Sequence, residues 1–494
     1  MSSTNPYLSK GFEPIRMECD SAHLTIDGEV PRDLDGIFYR IGPSPQFAPR
    51  GNYNPLNGDG MVHAFHVREG TVSYRNRWVR TQQWTLEHAA GRALFGTSGI
   101  PADADSSVAG IPTDGVANTN IIWHGNKLLA LEEGHGPIEL DPKTLETIGR
   151  WSFHGKLPRN MTAHPKIDPD SGQMLFFANF PSGRISRDIE VYASNASGEL
   201  VRSQMIRGPF AALVHDFAVT RDFIVITMCP VTVSIKRAMA GAPLIAWEPE
   251  KGTHVGITPR NGGAEDIRWF AGPPCMVWHS MNAFSEEDRI VADVCQQDVP
   301  LFPFADGSLT DPRHATQYLT RWEFDWEKPR NFTVERLSDR RCEYPRIDER
   351  RIGLAYRHGY VACNGGPGSD DIFHRGIGHF DHATRQMRIY AAGPSCAVAE
   401  PVFVPRNRGA SEGEGYLLTN IFDEDRNASH FAIFDAEQIE RGPIARAHLD
   451  HRVPVGFHGL WKASEGFPTC QNQISSSVRQ NSLRFTRYYV ANPP

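Results

Sequence analysis

The sequence predicts an all-β chain that repeats a sheet unit around a common axis. Three observations carry that expectation. Short β-rich runs recur along the chain, separated by Gly, Pro, Asn and Asp. The 494 residues include 44 Gly and 36 Pro, and helical periodicity is nearly absent, which leaves strands and long loops. Four histidines, His164, His215, His279 and His458, stand in similar settings beside apolar runs. Gaps of 51, 64 and 179 residues separate them, too far for one helix or hairpin. A closed ring of sheets, with several units each sending one residue inward, brings such positions together.

Taken in order, residues 1–35 read as an extended leading arm that ends at Gly36. Phe38-Tyr39-Arg40-Ile41 is a short strand running into the turn Gly42-Pro43. Asn57-Gly58-Asp59-Gly60 is a tight turn feeding a strand from Met61, and Asp-Gly before an alternating run signals a hairpin. Alternation puts His63 and His66 on opposite faces, so they do not serve one site. The best helix of the first third spans 84–94, followed by a polar loop over 99–110. Strands at 118–123 and 127–131 form a hairpin around His124-Gly125-Asn126. Further strands are expected at 174–177, 223–227, 289–294, 319–324, 360–363, 388–390, 415–418, 430–434 and 484–490.

The length exceeds that of a usual domain, but a closed ring of sheets remains one unit, and no composition shift marks a linker. Lys and Arg number 51 against 58 Asp and Glu, a net charge of -7. No basic block stands out, which argues against a nucleic-acid partner. The eight cysteines, Cys19, Cys229, Cys275, Cys295, Cys342, Cys363, Cys396 and Cys470, include no Cys-x-x-Cys pair. That suits a reducing cytoplasm rather than a zinc ribbon or a disulfide framework. The first residues lack the apolar stretch of a secretory signal, and no run approaches the roughly 18 apolar residues of a membrane span. A soluble cytoplasmic protein is expected, with peripheral membrane contact and oligomeric state left open. No Gly-rich nucleotide loop is present.

Four neutral imidazoles without a thiolate suit a borderline divalent metal such as iron, zinc, copper or nickel. Metal-bound histidines pass their second N–H to a carboxylate. Glu133, Glu343 and Glu400 stand in apolar or Pro-flanked contexts where an unpaired charge is costly. Singly they read as surface or ion-paired glutamates. Beside four candidate ligands they read as the groups that orient them.

The motifs Ala-His-Pro-Lys-Ile-Asp-Pro at His164, His-Asp-Phe-Ala-Val-Thr at His215, Glu-Pro-Val-Phe-Val-Pro at Glu400 and Gly-Phe-His-Gly at His458 together resemble the carotenoid cleavage oxygenase family. Phe38 to Pro43 and Gly58-Asp59-Gly60 also match. Trp247-Glu248-Pro249-Glu250 and Asp266-Ile267-Arg268-Trp269-Phe270 look most like its bacterial lignostilbene/isoeugenol branch. The resemblance runs from about Gly28. It implies a single seven-bladed β-propeller over 28–494, with an axial metal site and a loop/short-helix cap over one face, behind an arm of 1–27. It implies Fe(2+) held by His164, His215, His279 and His458, with Glu133, Glu343 and Glu400 orienting three of them. It assigns Thr119 the methyl that crowds one of two remaining iron positions, leaving one for O2. The implied activity splits a C=C bond with O2 into two carbonyls, with no further reductant. A non-oxygenase retinoid-like isomerase or binding propeller is the competing reading.

The chain departs from that branch at one place. Stilbene-cleaving relatives grip the substrate phenol with a lysine just before the first of those glutamates and a tyrosine in the preceding loop. Here the lysine position is Glu132, and the loop Phe95 to Pro101 has no tyrosine. Without that anchor, an apolar apocarotenoid is expected ahead of a stilbenoid or phenylpropenoid as substrate.

Overall fold

The computed structural model describes residues 5–96, 103–157, 159–311, 315–328, 330–365 and 372–464. Within them nearly all regular structure is β, and neighbouring strands pair antiparallel. The first sheet holds Asp20–Ser21, Thr71–Trp78, Gly60–Arg68, Gly36–Pro43 and Gly459–Ala463 in that spatial order. Three four-stranded meanders follow, over 120–150, 166–207 and 217–272. Met276–Glu286 then opens a seven-stranded sheet that ends at Gln386–Ala391. Val402–Pro405 and its neighbours form the last sheet, completed at its edge by Thr25–Gly28. Both ends of the described chain are thereby stitched in. Gly459–Ala463 lies beside Gly36–Pro43, and Thr25–Gly28 lies beside Ala445–His448.

Alternation along the strands feeds both faces of each sheet into apolar cores, and successive sheets share those cores. Tyr39, Ala64, Leu128 and Ile138 join the first two sheets. Phe176 and Leu129 join the next pair, and Phe177 with Ile226 the pair after that. Val255 and Trp322 join the fourth sheet to the seven-stranded one. Tyr360 and Leu417 join the seven-stranded sheet to the last. The last then packs back on the first, where Phe431 stacks on Phe38 and Phe65 at centroid separations of 5.3 and 4.9 Å.

The seven-stranded sheet turns on one long strand, Thr333–Ile347. Its first part pairs with Gln317–Asp325 and its last part with His358–Cys363. The second pairing shifts register between Glu343 and Arg346, and Tyr344 there has φ +53°. A bulge of this kind re-aims side chains, and it sits beside the site described below.

Most predicted strands are present. Strand limits shift by a few residues, and two readings in the first third change for local reasons. The helix is Gln82–Ala90, earlier than expected, because the Thr81 side chain caps Trp84 N–H and Gly91 ends it in the left-handed region at φ +66°. The Asp59-Gly60 turn does feed Gly60–Arg68, but it is not a hairpin turn. That strand's hairpin closes at Glu69-Gly70, both with positive φ, onto Thr71–Trp78. His63 is buried and His66 only partly so, as opposite faces require. The strand expected at 484–490 lies outside the described residues, as do Cys470 and residues 97–101 of the loop after Phe95.

Candidate metal centre

The four histidines sit at or just before innermost strands. His164 precedes Lys166–Ile167, His215 precedes Phe217–Val219, His458 immediately precedes Gly459–Ala463, and His279 lies within Met276–Glu286. Their rings converge. His215 Nε2 is 3.1 Å from His164 Nε2 and 3.4 Å from His279 Nε2. His458 stands beside them, with ring centroids 4.7 Å from both His164 and His279. Among the described residues, the ligand atoms of His164, His215 and His279 form a group within 4.8 Å of one another.

Backbone ties hold this arrangement. Thr162 Oγ1 accepts from the His164 N–H and donates to the His215 carbonyl. Asp216 accepts from Lys166 Nζ, from its neighbour Phe217 N–H and from Ser280 N–H, each at 2.7 Å. One buried carboxylate therefore joins the three strands that carry His164, His215 and His279.

The three sequence-predicted carboxylates lie behind three of the rings. His279 Nδ1 is 2.5 Å from Glu343 Oε2, and His458 Nδ1 is 2.9 Å from Glu400 Oε1. Glu133 Oε1 contacts His215 Nδ1 without hydrogen-bond alignment. Their surroundings differ. The Glu133 side chain is 27% exposed, whereas Glu400 is buried between two arginines. Arg40 Nη1 lies 3.7 Å from one Glu400 oxygen and Arg346 Nη1 3.5 Å from the other, and Gly459 N–H donates at 2.8 Å. Burial alone would raise Glu400, but Arg346, His458 and Arg40 together bring its pKa down to about 2.

The donor set fits a metal ion. Two imidazole nitrogens at right angles on bonds of about 2.1 Å lie about 3.0 Å apart, close to the spacings seen. Burial, then the neighbouring rings, pushes His164 well below the usual imidazole range. Burial brings His458 down to about 4 against the pull of Glu400. Both are neutral bases at physiological pH, the form that binds metal. At His279, burial is overridden by Glu343 and the pKa rises. At His279 and His458 the carboxylate accepting from Nδ1–H leaves the Nε2 lone pair free for a metal.

Thr119 is buried. Its hydroxyl donates to Asn118 Oδ1 at 2.9 Å, so the methyl is the end left without a polar duty. Glu132 is not a bare acid. One oxygen accepts from Val116 N–H at 2.8 Å, and the other contacts His135 Nδ1. Burial lowers His135, but Glu132 and then Asp114 override it and raise its pKa. The stretch therefore carries a hydrogen-bonded carboxylate–imidazole pair where the sequence alone shows only an acid. Glu132→Lys is accordingly expected to fail as a route to stilbene activity. It removes the acceptor from Val116 N–H and from the His135 ring, at a cost of about 1–3 kcal/mol. Thermal melting and stilbene turnover of that variant check this.

The sequence reading did not name the aromatic groups. Trp278 meets His215 edge-on at 4.8 Å, with Phe302 5.9 Å beyond it. Tyr344 stacks on His279 at 5.4 Å and meets His458 edge-on at 5.5 Å. Trp278 and Tyr344 directly adjoin His279 and Glu343 in the chain, which was the available signal. Asp216 likewise adjoins His215, and Arg40 stands in an otherwise apolar strand.

Comparison with known proteins agrees with this geometry. Residues 12–463 match the family model for Retinal pigment epithelial membrane protein. Isoeugenol monooxygenase of Pseudomonas nitroreducens is 36% identical over 93% of this chain and 98% of its own. The crystal structure of Pseudomonas brassicacearum lignostilbene dioxygenase superposes with a TM-score of 0.88 at 33% identity, covering 94% of this chain and 99% of that one. A Synechocystis apocarotenoid oxygenase variant gives 0.82 at 28% identity, covering 92% and 98%. The chain belongs to the retinal pigment epithelial membrane protein family, the carotenoid oxygenases, on its bacterial isoeugenol and lignostilbene side.

Proposed function

We propose that this protein is an Fe(2+)-dependent dioxygenase that cleaves the C=C bond of a phenylpropenoid or stilbenoid with O2, giving two carbonyl products. The observation that carries the reading is the convergence of His164, His215 and His279, with His458 beside them and carboxylates behind. In this reading all four histidines hold the iron. Glu133, Glu343 and Glu400 orient His215, His279 and His458, and the Thr119 methyl narrows access to the metal. Bound iron supplies the binding and activation of O2 next to the alkene. The chain does the rest. Trp278, Phe302 and Tyr344 offer flat apolar surface to a conjugated substrate and exclude water from it. Arg40 and Arg346 keep Glu400 ionised, and so keep His458 in one tautomer.

The substrate class follows the relatives rather than the missing phenol anchor. The apocarotenoid preference expected from the sequence rested on Glu132 in place of a lysine and on the missing loop tyrosine, and the likeness to isoeugenol- and lignostilbene-cleaving relatives outweighs it. A seven-bladed propeller is part of the proposal. Division of the seven-stranded sheet at Thr333–Ile347 would make seven units, and shared cores between successive sheets support the ring. The two-stranded pair Val231–Val233 and Ile245–Trp247 with the helix Ile235–Met239 suits a cap. Residues 1–27 remain an arm in this scheme, lending edge strands. No described helix is long and apolar enough to cross a membrane. The described cysteines carry free thiols, which supports the cytoplasm as compartment.

Incubating the iron-loaded protein with isoeugenol, a 4-hydroxystilbene and an apocarotenal tests the substrate. We expect kcat/KM at least about tenfold higher for a phenolic alkene, with one O2 consumed per alkene. The reverse order restores the apocarotenoid reading. Turnover without O2 uptake favours the isomerase instead.

A further inference from the structure

The metal centre has two unlike surroundings. Trp278 and Tyr344 precede Ser280 and Pro345 in the chain, and the aromatic groups form one of them. The other is a cavity of about 130 Å3 whose walls come mainly from residues that follow His164, His215, His279 and Glu343 in the chain. His164, His279 and His458 themselves line it, together with Glu400. Beyond them come Lys166 and Asp216, paired at 2.7 Å, and then Arg346 and Glu349, paired at 2.6 Å. The Glu349 side chain is 54% exposed, whereas that of Arg346 is 17% exposed and that of Asp216 only 2%. The lining therefore runs from solvent at Glu349 to three imidazoles at the inner end.

A conjugated alkene does not suit this space, which is small and bordered by two ion pairs, since burying apolar surface against them desolvates charge without return. A hydrated divalent cation does. It needs polar groups that replace its water in steps, and a route to nitrogen donors. We propose that this cavity is the path by which the divalent metal reaches and leaves the four histidines, with Glu349 as the first carboxylate it meets. The proposal rests on the metal-centre reading above. It assigns to Glu349 and Ile352, which also lines the cavity, roles in metal exchange rather than in catalysis.

The test is the rate at which metal-free protein takes up Co(2+), followed by its visible absorption, and the rate at which loaded protein loses metal to a chelator. Glu349→Gln removes the charge at the mouth and keeps an acceptor for Arg346. It is expected to slow uptake about tenfold at low ionic strength, with the difference shrinking at high salt. Ile352→Trp narrows the passage without changing charge. It is expected to slow uptake and release by the same factor, leaving affinity unchanged. Fully iron-loaded samples of both variants should keep the wild-type kcat. Wild-type uptake rates in both variants overturn the route. So does a loss of affinity or of kcat in step with the slower uptake, because these residues would then be supporting the centre itself. Wild-type protein that takes up no metal defeats instead the reading on which the route rests.

Discussion

Alanine in place of His215 is expected to leave a folded protein with no bound metal and no activity. His215 Nε2 is the shared neighbour in the cluster, 3.1 Å from His164 and 3.4 Å from His279. Its removal opens one side of the donor set. In the proposed centre a site short of one histidine would bind the metal less tightly and orient O2 less well. The fold should survive, because the backbone ties run through Thr162 and Asp216 rather than through the His215 ring. The same loss is expected at His164, His279 and His458. Metal content per chain, thermal melting and alkene turnover check this together. A variant that keeps one metal and full turnover shows that its histidine is not a ligand.

Glu400→Gln is expected to have the next largest effect, and a larger one than Glu343→Gln or Glu133→Gln. All three changes weaken the orientation of a histidine, which typically costs about 10–100-fold in metal affinity or activity. Only Glu400 also neutralises two arginines. Arg40 is 1% exposed, and a neutral amide leaves it buried without a counter-charge, a loss of about 3–5 kcal/mol. The pH dependence has a definite sign. The folded-state pKa of Glu400, about 2, lies below its unfolded value of roughly 4.3. Its stabilising contribution is therefore complete above that value and disappears as pH falls through about 2. The stability difference between wild type and variant should be greatest at neutral pH and shrink toward pH 2. Denaturant unfolding across that range measures it. Equal loss of stability in the Glu133 variant would contradict the argument, because the Glu133 side chain is partly exposed and has no arginine partner like those of Glu400.

These effects separate what was readable in the chain from what was not. The strands announce themselves through runs of a few residues, because strand character depends on near-neighbour alternation and on Gly and Pro breaks. His164, His215, His279 and His458 were legible for the same reason: each has a distinctive local setting at the start of an apolar strand or within one. Glu133, Glu343 and Glu400 were legible as carboxylates in places unsuited to unpaired charge. Helix limits depend on caps, so Thr81 and Gly91 moved the one long helix toward the N-terminus.

The sequence by itself determined the β-rich architecture, the four imidazoles and the three carboxylates that face them. Only the tertiary structure decided which charges meet. Arg40 and Glu400 are 360 residues apart in the sequence, yet they lie 3.7 Å apart in the fold. Asp216 joins strands whose nearest residues are tens of positions away. Electrostatic and packing energies depend on separation in space. The packing of one sheet on the next sets that separation, and no local stretch of sequence records it.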